Sequence, residues 1–73
     1  MKISEFKKND LIGIEYLRRN KLKSEFWKFL NYNANTKEIY LYDDNQTLNV
    51  VKEKNVIKLN KYTKEEIKNL KNQ

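Results

Sequence analysis

The sequence predicts a mainly β (α+β) domain: five short strands followed by one C-terminal helix. Three observations predict it. Between Asp10 and Leu59, apolar and aromatic side chains alternate with polar ones in short runs, the period of a half-buried strand. Clusters of Asn, Asp, Thr and Lys separate these runs, as turns require. The one clear helix start signal comes last, at Thr63. With 73 residues the chain has room for one domain, 1–73, with a core at about 10–59 and the helix at about 63–71.

The elements follow in order. At 1–9, Ile3 and Phe6 lie three apart, which permits one helical turn capped by Ser4. Asp10 to Leu17 alternates as a strand, with Ile12, Ile14 and Tyr16 on one face and Gly13 and Glu15 on the other. A glycine inside a strand marks a bulge or a close backbone approach. Arg18 to Lys23, the run RRNKLK, reads as a break, either a loop or the start of a helix. Ser24 to Asn33 reads two ways. As a strand it places Trp27 and Phe29 on one face and Phe26, Leu30 and Tyr32 on the other; its aromatic richness favours this. As a helix from Lys21 it aligns Leu22, Phe26, Phe29 and Leu30.

Asn33 to Thr36 reads as a turn. Glu38 to Asp43 is a strand with Ile39 and Leu41 inward and Tyr40 and Tyr42 on the other face. Asp43 to Gln46 is a tight turn, and Thr47 to Val51 returns as a strand with Leu48 and Val50 aligned. Lys52 to Lys54 is a polar break. Asn55 to Leu59 is a last short strand that offers Val56, Ile57 and Leu59 to the core. Thr63 and Glu66 stand at the two positions of a capping box, and Tyr62 and Ile67 at those of a hydrophobic staple.

Five strands with breaks near 18–24, 33–37, 43–46 and 52–54 resemble, in layout alone, a small SH3-like or Sm-like barrel. Such barrels host many functions, so the resemblance implies a fold and fixes no role. If 21–32 is helical instead, the fold becomes a three- or four-stranded antiparallel sheet packed on that helix.

Composition excludes several classes of chemistry. Cysteine and histidine are absent, which removes disulfides, thiolate nucleophiles, Ser-His pairs and the usual zinc and haem ligands. A single glycine, Gly13, cannot build a phosphate-cradling loop. The expectation is no enzyme, no cofactor and no metal. The longest apolar stretch, Leu11 to Ile14, stops at Glu15, so no membrane partner is expected and the chain reads as cytoplasmic. Sixteen cations against ten carboxylates leave +6. Fourteen of the cations are lysine and asparagine numbers eleven, a bias that an AT-rich genome produces by itself. A basic protein still attracts polyanions, whatever the origin of its lysines.

Four features carry the functional expectations. First, residues 16–34 hold Arg18, Arg19, Lys21, Lys23 and Lys28 against Glu25 alone, interleaved with Tyr16, Phe26, Trp27, Phe29 and Tyr32. Clustered cations suit phosphates and flat rings suit bases. The two arginines of the chain are adjacent here, and a guanidinium grips phosphate with a planar fork that lysine lacks. The competing reading is a solvated loop beside core aromatics. Second, Lys52, Lys54, Lys58, Lys61, Lys64, Lys68 and Lys71 make a C-terminal basic set, of which Lys61, Lys64, Lys68 and Lys71 fall at helical spacing and form a secondary basic face; the competing reading is a solvated helix surface. Third, Asp43-Asp44 is an acidic tip, which reads chiefly as turn-forming. Fourth, Tyr40 and Tyr42 share a strand face from which they could stack on bases, or pair across strands with Thr47 and Asn49.

The expected function is therefore a small nucleic-acid-binding module of low sequence specificity, with phosphates held by the 18–28 window and Trp27, Tyr40 or Tyr42 stacking. The alternative is a small phage- or mobile-element-type protein that binds, and inhibits or regulates, an acidic host protein. Either could act as a monomer or, through an exposed edge strand at Thr47 to Val51, as a homodimer.

Overall fold

The computed structural model describes residues 3–71, the last of them through its backbone only. Five strands form one antiparallel sheet: β1 (Leu11–Arg18), β2 (Lys21–Asn33), β3 (Glu38–Tyr42), β4 (Leu48–Lys52) and β5 (Val56–Tyr62). They are ordered β4-β3-β2-β1-β5, so β4 and β5 are the edges of an open sheet. A single helix, α1 (Lys64–Lys71), follows. The segment 21–32 is strand throughout, which removes the helical alternative. The aromatic side chains of this segment, Phe26, Trp27, Phe29 and Tyr32, suit a pleated surface better than a helix stripe.

β2 is the longest strand, and it serves two neighbours in succession. Lys21 to Lys28 pair with β1, and from Lys28 onward the strand pairs with β3. The hand-over is a bulge: the register shifts between Phe29 and Asn31, leaving Leu30 as the extra residue. The bulge corrects one expectation. A simple alternation sends Tyr32 to the outer face with Phe26. The extra residue instead returns Tyr32 to the inner side, opposite Ile39 and against the core.

The core lies on the inner face. Ile12, Ile14 and Tyr16 of β1, Trp27 and Phe29 of β2, Ile39 and Leu41 of β3 and Val51 of β4 are buried, joined by Ile3. Val56 and Leu59 of β5 pack against them, whereas Ile57, expected with them, is 57% exposed. The N-terminal helical turn, Ile3–Glu5, places Ser4 inside the turn rather than at its cap. Phe6 follows it and sets its ring 5.7 Å from Phe29. Asn9 donates its backbone N–H to Phe29 at 2.7 Å, and Phe29 donates to Asp10 at 2.8 Å, so this leader is sewn to β2 at its bend. The sheet curls strongly. Two strands, β2 and β3, separate β1 from β4 in the hydrogen-bonded order, yet Tyr16, Leu17, Val50 and Val51 line one depression.

The turns explain themselves chemically. Asn33 Oδ1 accepts the N–H groups of Asn35 and Thr36, which closes the β2–β3 connection. The capping box of α1 forms in both directions: Glu66 N–H donates to Thr63 Oγ1 at 3.1 Å, and Thr63 N–H donates to Glu66 Oε1 at 3.0 Å.

Gly13 marks a close approach. On the outer face the Tyr62 and Phe26 rings cross edge-to-face at 5.4 Å, directly over it. A Cβ at this position would lie 2.5 Å from the Tyr62 ring and 3.2 Å from Phe26. The bulge that a strand glycine also suggests falls elsewhere in β1, between Glu15 and Tyr16. Gly13→Ala is expected to lower stability by about 1–3 kcal/mol, as overpacked sites do. In a Tyr62→Leu background the same substitution costs less; a urea-denaturation cycle on the four proteins measures the difference.

Candidate functional site

The most basic window is not a loop. β1 runs on to Arg18 and β2 starts at Lys21, so Arg18 pairs with Lys21 across a two-residue turn, Arg19-Asn20. Both turn residues have positive φ, 53° and 64°, which is the primed-hairpin geometry whose twist matches the flanking strands. That turn normally calls for Asn-Gly, and neither residue here is glycine, so the sequence read as a break. Asn tolerates the left-handed region; Arg does so at a cost of about 1 kcal/mol.

The strand pairing leaves this hairpin standing clear. β5 pairs with β1 only as far as Tyr16, so Leu17 and Arg18 have β2 as their one partner. Lys21 to Trp27 likewise pair with β1 alone. Every residue from Leu17 to Glu25 is exposed. Alternation then sorts the side chains. Arg18, Lys21 and Lys23 share the face of Tyr16, while Leu17 and Leu22 face each other on the opposite side, 41% and 61% exposed. The result is a two-stranded ribbon with one basic face, one apolar face and Arg19 at the tip.

The core anchors the basic face. The Arg18 guanidinium lies over the Tyr16 ring at 5.7 Å, within cation–π range. Tyr16 in turn stacks obliquely on Trp27 at 5.7 Å. Burial raises the Tyr16 hydroxyl above its ordinary value, and the Arg18 charge partly offsets this.

Two further cations join from a distant part of the sequence. After β4 the chain makes a 3-10 turn, Glu53–Asn55. Tyr32 donates its hydroxyl proton to Glu53 at 2.8 Å, and Glu53 N–H donates to the Lys37 carbonyl at 2.9 Å. These bonds fix the corner so that Lys52 and Lys54 line one depression with Arg18 and Arg19. The sequence showed no sign of this juxtaposition: it depends on the curl of the sheet, which sets the ends of β1 and β4 around one depression.

Other expected site residues are placed elsewhere. Trp27 is 9% exposed and belongs to the core, so it is not a stacking ring. What remains of its edge lines a cavity of about 260 Å³ with Phe26, Tyr42 and Asp44. That is smaller than the roughly 300–1,000 Å³ typical of ligand pockets. Lys28 pairs with Tyr42 on the outer face, away from Arg18, Lys21 and Lys23. Tyr40 and Tyr42 do lie opposite the buried Ile39 and Leu41, half-buried on that outer face. Their cross-strand partners are Val50 and Leu48, not Thr47 and Asn49, because the β3–β4 register pairs Tyr40 with Val50.

The secondary basic face does not assemble as a helix surface. Lys61 is in β5, opposite Ile12, and forms an ion pair with Asp10 at 3.6 Å. Lys64 and Lys68 are exposed on α1, and the side chain of Lys71 lies outside the described residues. Asp43 is spent on its turn: Oδ1 accepts from the Asn45 and Thr47 N–H groups and Oδ2 from the Asn49 amide. Those bonds, led by the one from Thr47, hold its carboxyl below the ordinary value. Among the described residues no group of three or more potential ligands could hold a metal ion, and no helix is long and apolar enough to cross a membrane. No protein-family model, curated protein or solved structure matches this chain.

Two predictions follow from these turns. Arg19→Gly relieves the left-handed strain and is expected to raise stability by about 1 kcal/mol, or roughly 4–8 °C in Tm. The folded state depresses the Asp43 pKa, so the stabilisation from ionised Asp43 is complete above the ordinary carboxylate range, about pH 4, and is lost as pH falls through the folded value. Asp43→Ala should therefore lose less stability on acidification than the parent protein; parallel denaturation at neutral and acidic pH reads this.

Proposed function

We propose that this chain is a small nucleic-acid-binding module of low sequence specificity that grips phosphates with its β1–β2 ribbon. One observation carries the reading: Arg18, Arg19, Lys21 and Lys23 are concentrated on the one self-paired, fully exposed projection of the sheet, with Lys52 and Lys54 beside it. Phosphate contact needs dense cation placement without prior desolvation cost, and exposed side chains on a strand-paired ribbon supply that. The ribbon offers few neutral hydrogen-bonding groups, in keeping with weak sequence preference. A binding role, with no catalysis, fits a chain that lacks histidine and cysteine.

We also read the fold as an SH3-like or Sm-like barrel. The four-strand meander, the return of β5 to β1, the 3-10 turn between β4 and β5, and the strong curl support this.

If phosphates are the target, affinity for a mixed-sequence duplex falls steeply with salt. Arg18→Ala with Lys21→Ala should weaken binding to all sequences alike and reduce the log–log salt slope by about two. Lys64→Ala with Lys68→Ala should leave both nearly unchanged. Anisotropy titrations over a salt series measure these slopes, and salt-independent binding would contradict the reading.

The apolar face of the ribbon favours a second reading. Leu17 and Leu22 are exposed and opposed, a feature that phosphate contact does not require and that a protein interface uses. In this reading the partner is an acidic protein that the chain covers and regulates. Nuclease-resistant capture of one stoichiometric acidic protein, abolished by Leu17→Ser with Leu22→Ser, would favour it.

A further inference from the structure

The shape of the ribbon discriminates among nucleic acids, given that it binds phosphates as proposed above. We infer that its partner is B-form duplex DNA, entered tip-first through the major groove.

Dimensions come first. Beyond the last β5 pair at Tyr16 the ribbon is a bare two-stranded element, closed by Arg19-Asn20. Its two strands run about 4.8 Å apart, and at about 3.3 Å per residue its free end extends roughly 10 Å. The major groove of B-DNA is about 12 Å wide and 8.5 Å deep and admits a two-stranded ribbon without distortion; the minor groove, about 6 Å wide, takes one only when the duplex is bent and that groove is opened. A-form RNA closes its major groove to side chains and displays a broad, shallow minor groove, a surface with no cleft for a projecting tip.

The side chains agree. Single strands are held by stacking on exposed rings. The rings near the ribbon are committed: Tyr16 and Trp27 to the core, Phe26 to its crossing with Tyr62. In their place the ribbon presents cations on one face and Leu17 and Leu22 on the other. Arg18, Lys21 and Lys23 are placed to meet phosphates at the groove wall, and the leucine pair can meet thymine methyl groups, which line the major groove alone. Arg19 is at the deepest-reaching point. Its fork matches the paired N7 and O6 acceptors of guanine. One tip arginine reads a base pair or so, which agrees with low overall specificity.

The test uses the full-length protein and three labelled probes of one sequence: DNA duplex, RNA duplex and single-stranded DNA, compared by anisotropy at a single salt concentration. The DNA duplex is expected to bind about tenfold or more tighter than the other two, as groove complementarity requires. Replacing guanine by 7-deazaguanine, which removes the N7 acceptor, should weaken binding about fivefold or more for the wild type. Arg19→Gly suits the tip backbone and preserves the fold; it should weaken duplex binding and no longer respond to the 7-deaza substitution. Netropsin, which fills the minor groove, should not compete. Equal or tighter binding of RNA duplex or single strand, competition by netropsin, or an unchanged Arg19→Gly response to 7-deazaguanine overturns the groove assignment while phosphate binding stands. Failure to bind any of the three overturns the phosphate reading itself.

Discussion

The fold depends on one constraint: a single small sheet must bury its own inner face. A chain of this size buries only about 60% of the surface its unfolded form exposes, so it cannot build a second full layer. The helix does not supply one, since it is exposed over most of its described length. The sheet therefore bends around its apolar face, and β2 takes the bend. Its bulge at Leu30 lets the strand leave β1 and join β3, and the backbone of Asn9 and Asp10 pairs with Phe29 just there. Ile12, Ile14, Ile39 and Leu41 become almost completely enclosed in consequence.

The same bend creates the ribbon. A long β2 shared between two neighbours in succession must leave its first half with one partner. β5 is too short to cover the end of β1, and the projecting tip follows. Curling also carries the β4 corner round to the foot of the ribbon, where the Tyr32–Glu53 hydrogen bond fixes it. One geometric solution to core burial thus produces a hairpin with no third strand beside its tip and sets the cations of 52–54 beside those of 18–23. Among the described residues no polar or charged side chain is buried. Among the same residues the charged side chains lie on the surface, where their arrangement can serve recognition without disturbing the core.

Much of this was legible in the residues. Alternation located β1, β3, β4 and part of β5, set Ile12, Ile14 and Tyr16 on one face and put Ile39 and Leu41 inside, whereas Ser24 to Asn33 read either as strand or as helix and only its aromatic richness favoured the strand. The capping box at Thr63 and Glu66 formed as spaced. Gly13 signalled a close approach, although only the structure shows that two rings cause it. Illegible were features that local pattern does not encode. The Arg19-Asn20 turn lacks the glycine that announces a primed hairpin, so two continuous strands read as a break. A single bulge residue, Leu30, reversed the expected facing of Tyr32. The union of Lys52 and Lys54 with the arginines requires the curl, a global property. Trp27 and the lysines were assigned to one window by proximity in sequence, but strand alternation places Trp27 inside and Lys28 on the opposite face from Lys23.

The ring ladder from Trp27 through Tyr16 to Arg18 joins the two roles of this sheet. Aromatic residues in so small a chain are needed for burial, and each large ring contributes more apolar area than any aliphatic replacement. Tyr16 and Trp27 meet that need, and Tyr16 then offers a ring face to the guanidinium next along its own side of the strand. The contact orients Arg18 toward the β4 corner before any ligand arrives. A long, flexible side chain otherwise loses rotamer freedom on binding, about 0.5–1.5 kcal/mol each, so an arginine already held against a buried ring reduces that cost. Lys21 and Lys23, which share that face without a ring beneath them, keep the full cost. Of the cations on the basic face, Arg18 is therefore the one whose position the core itself determines.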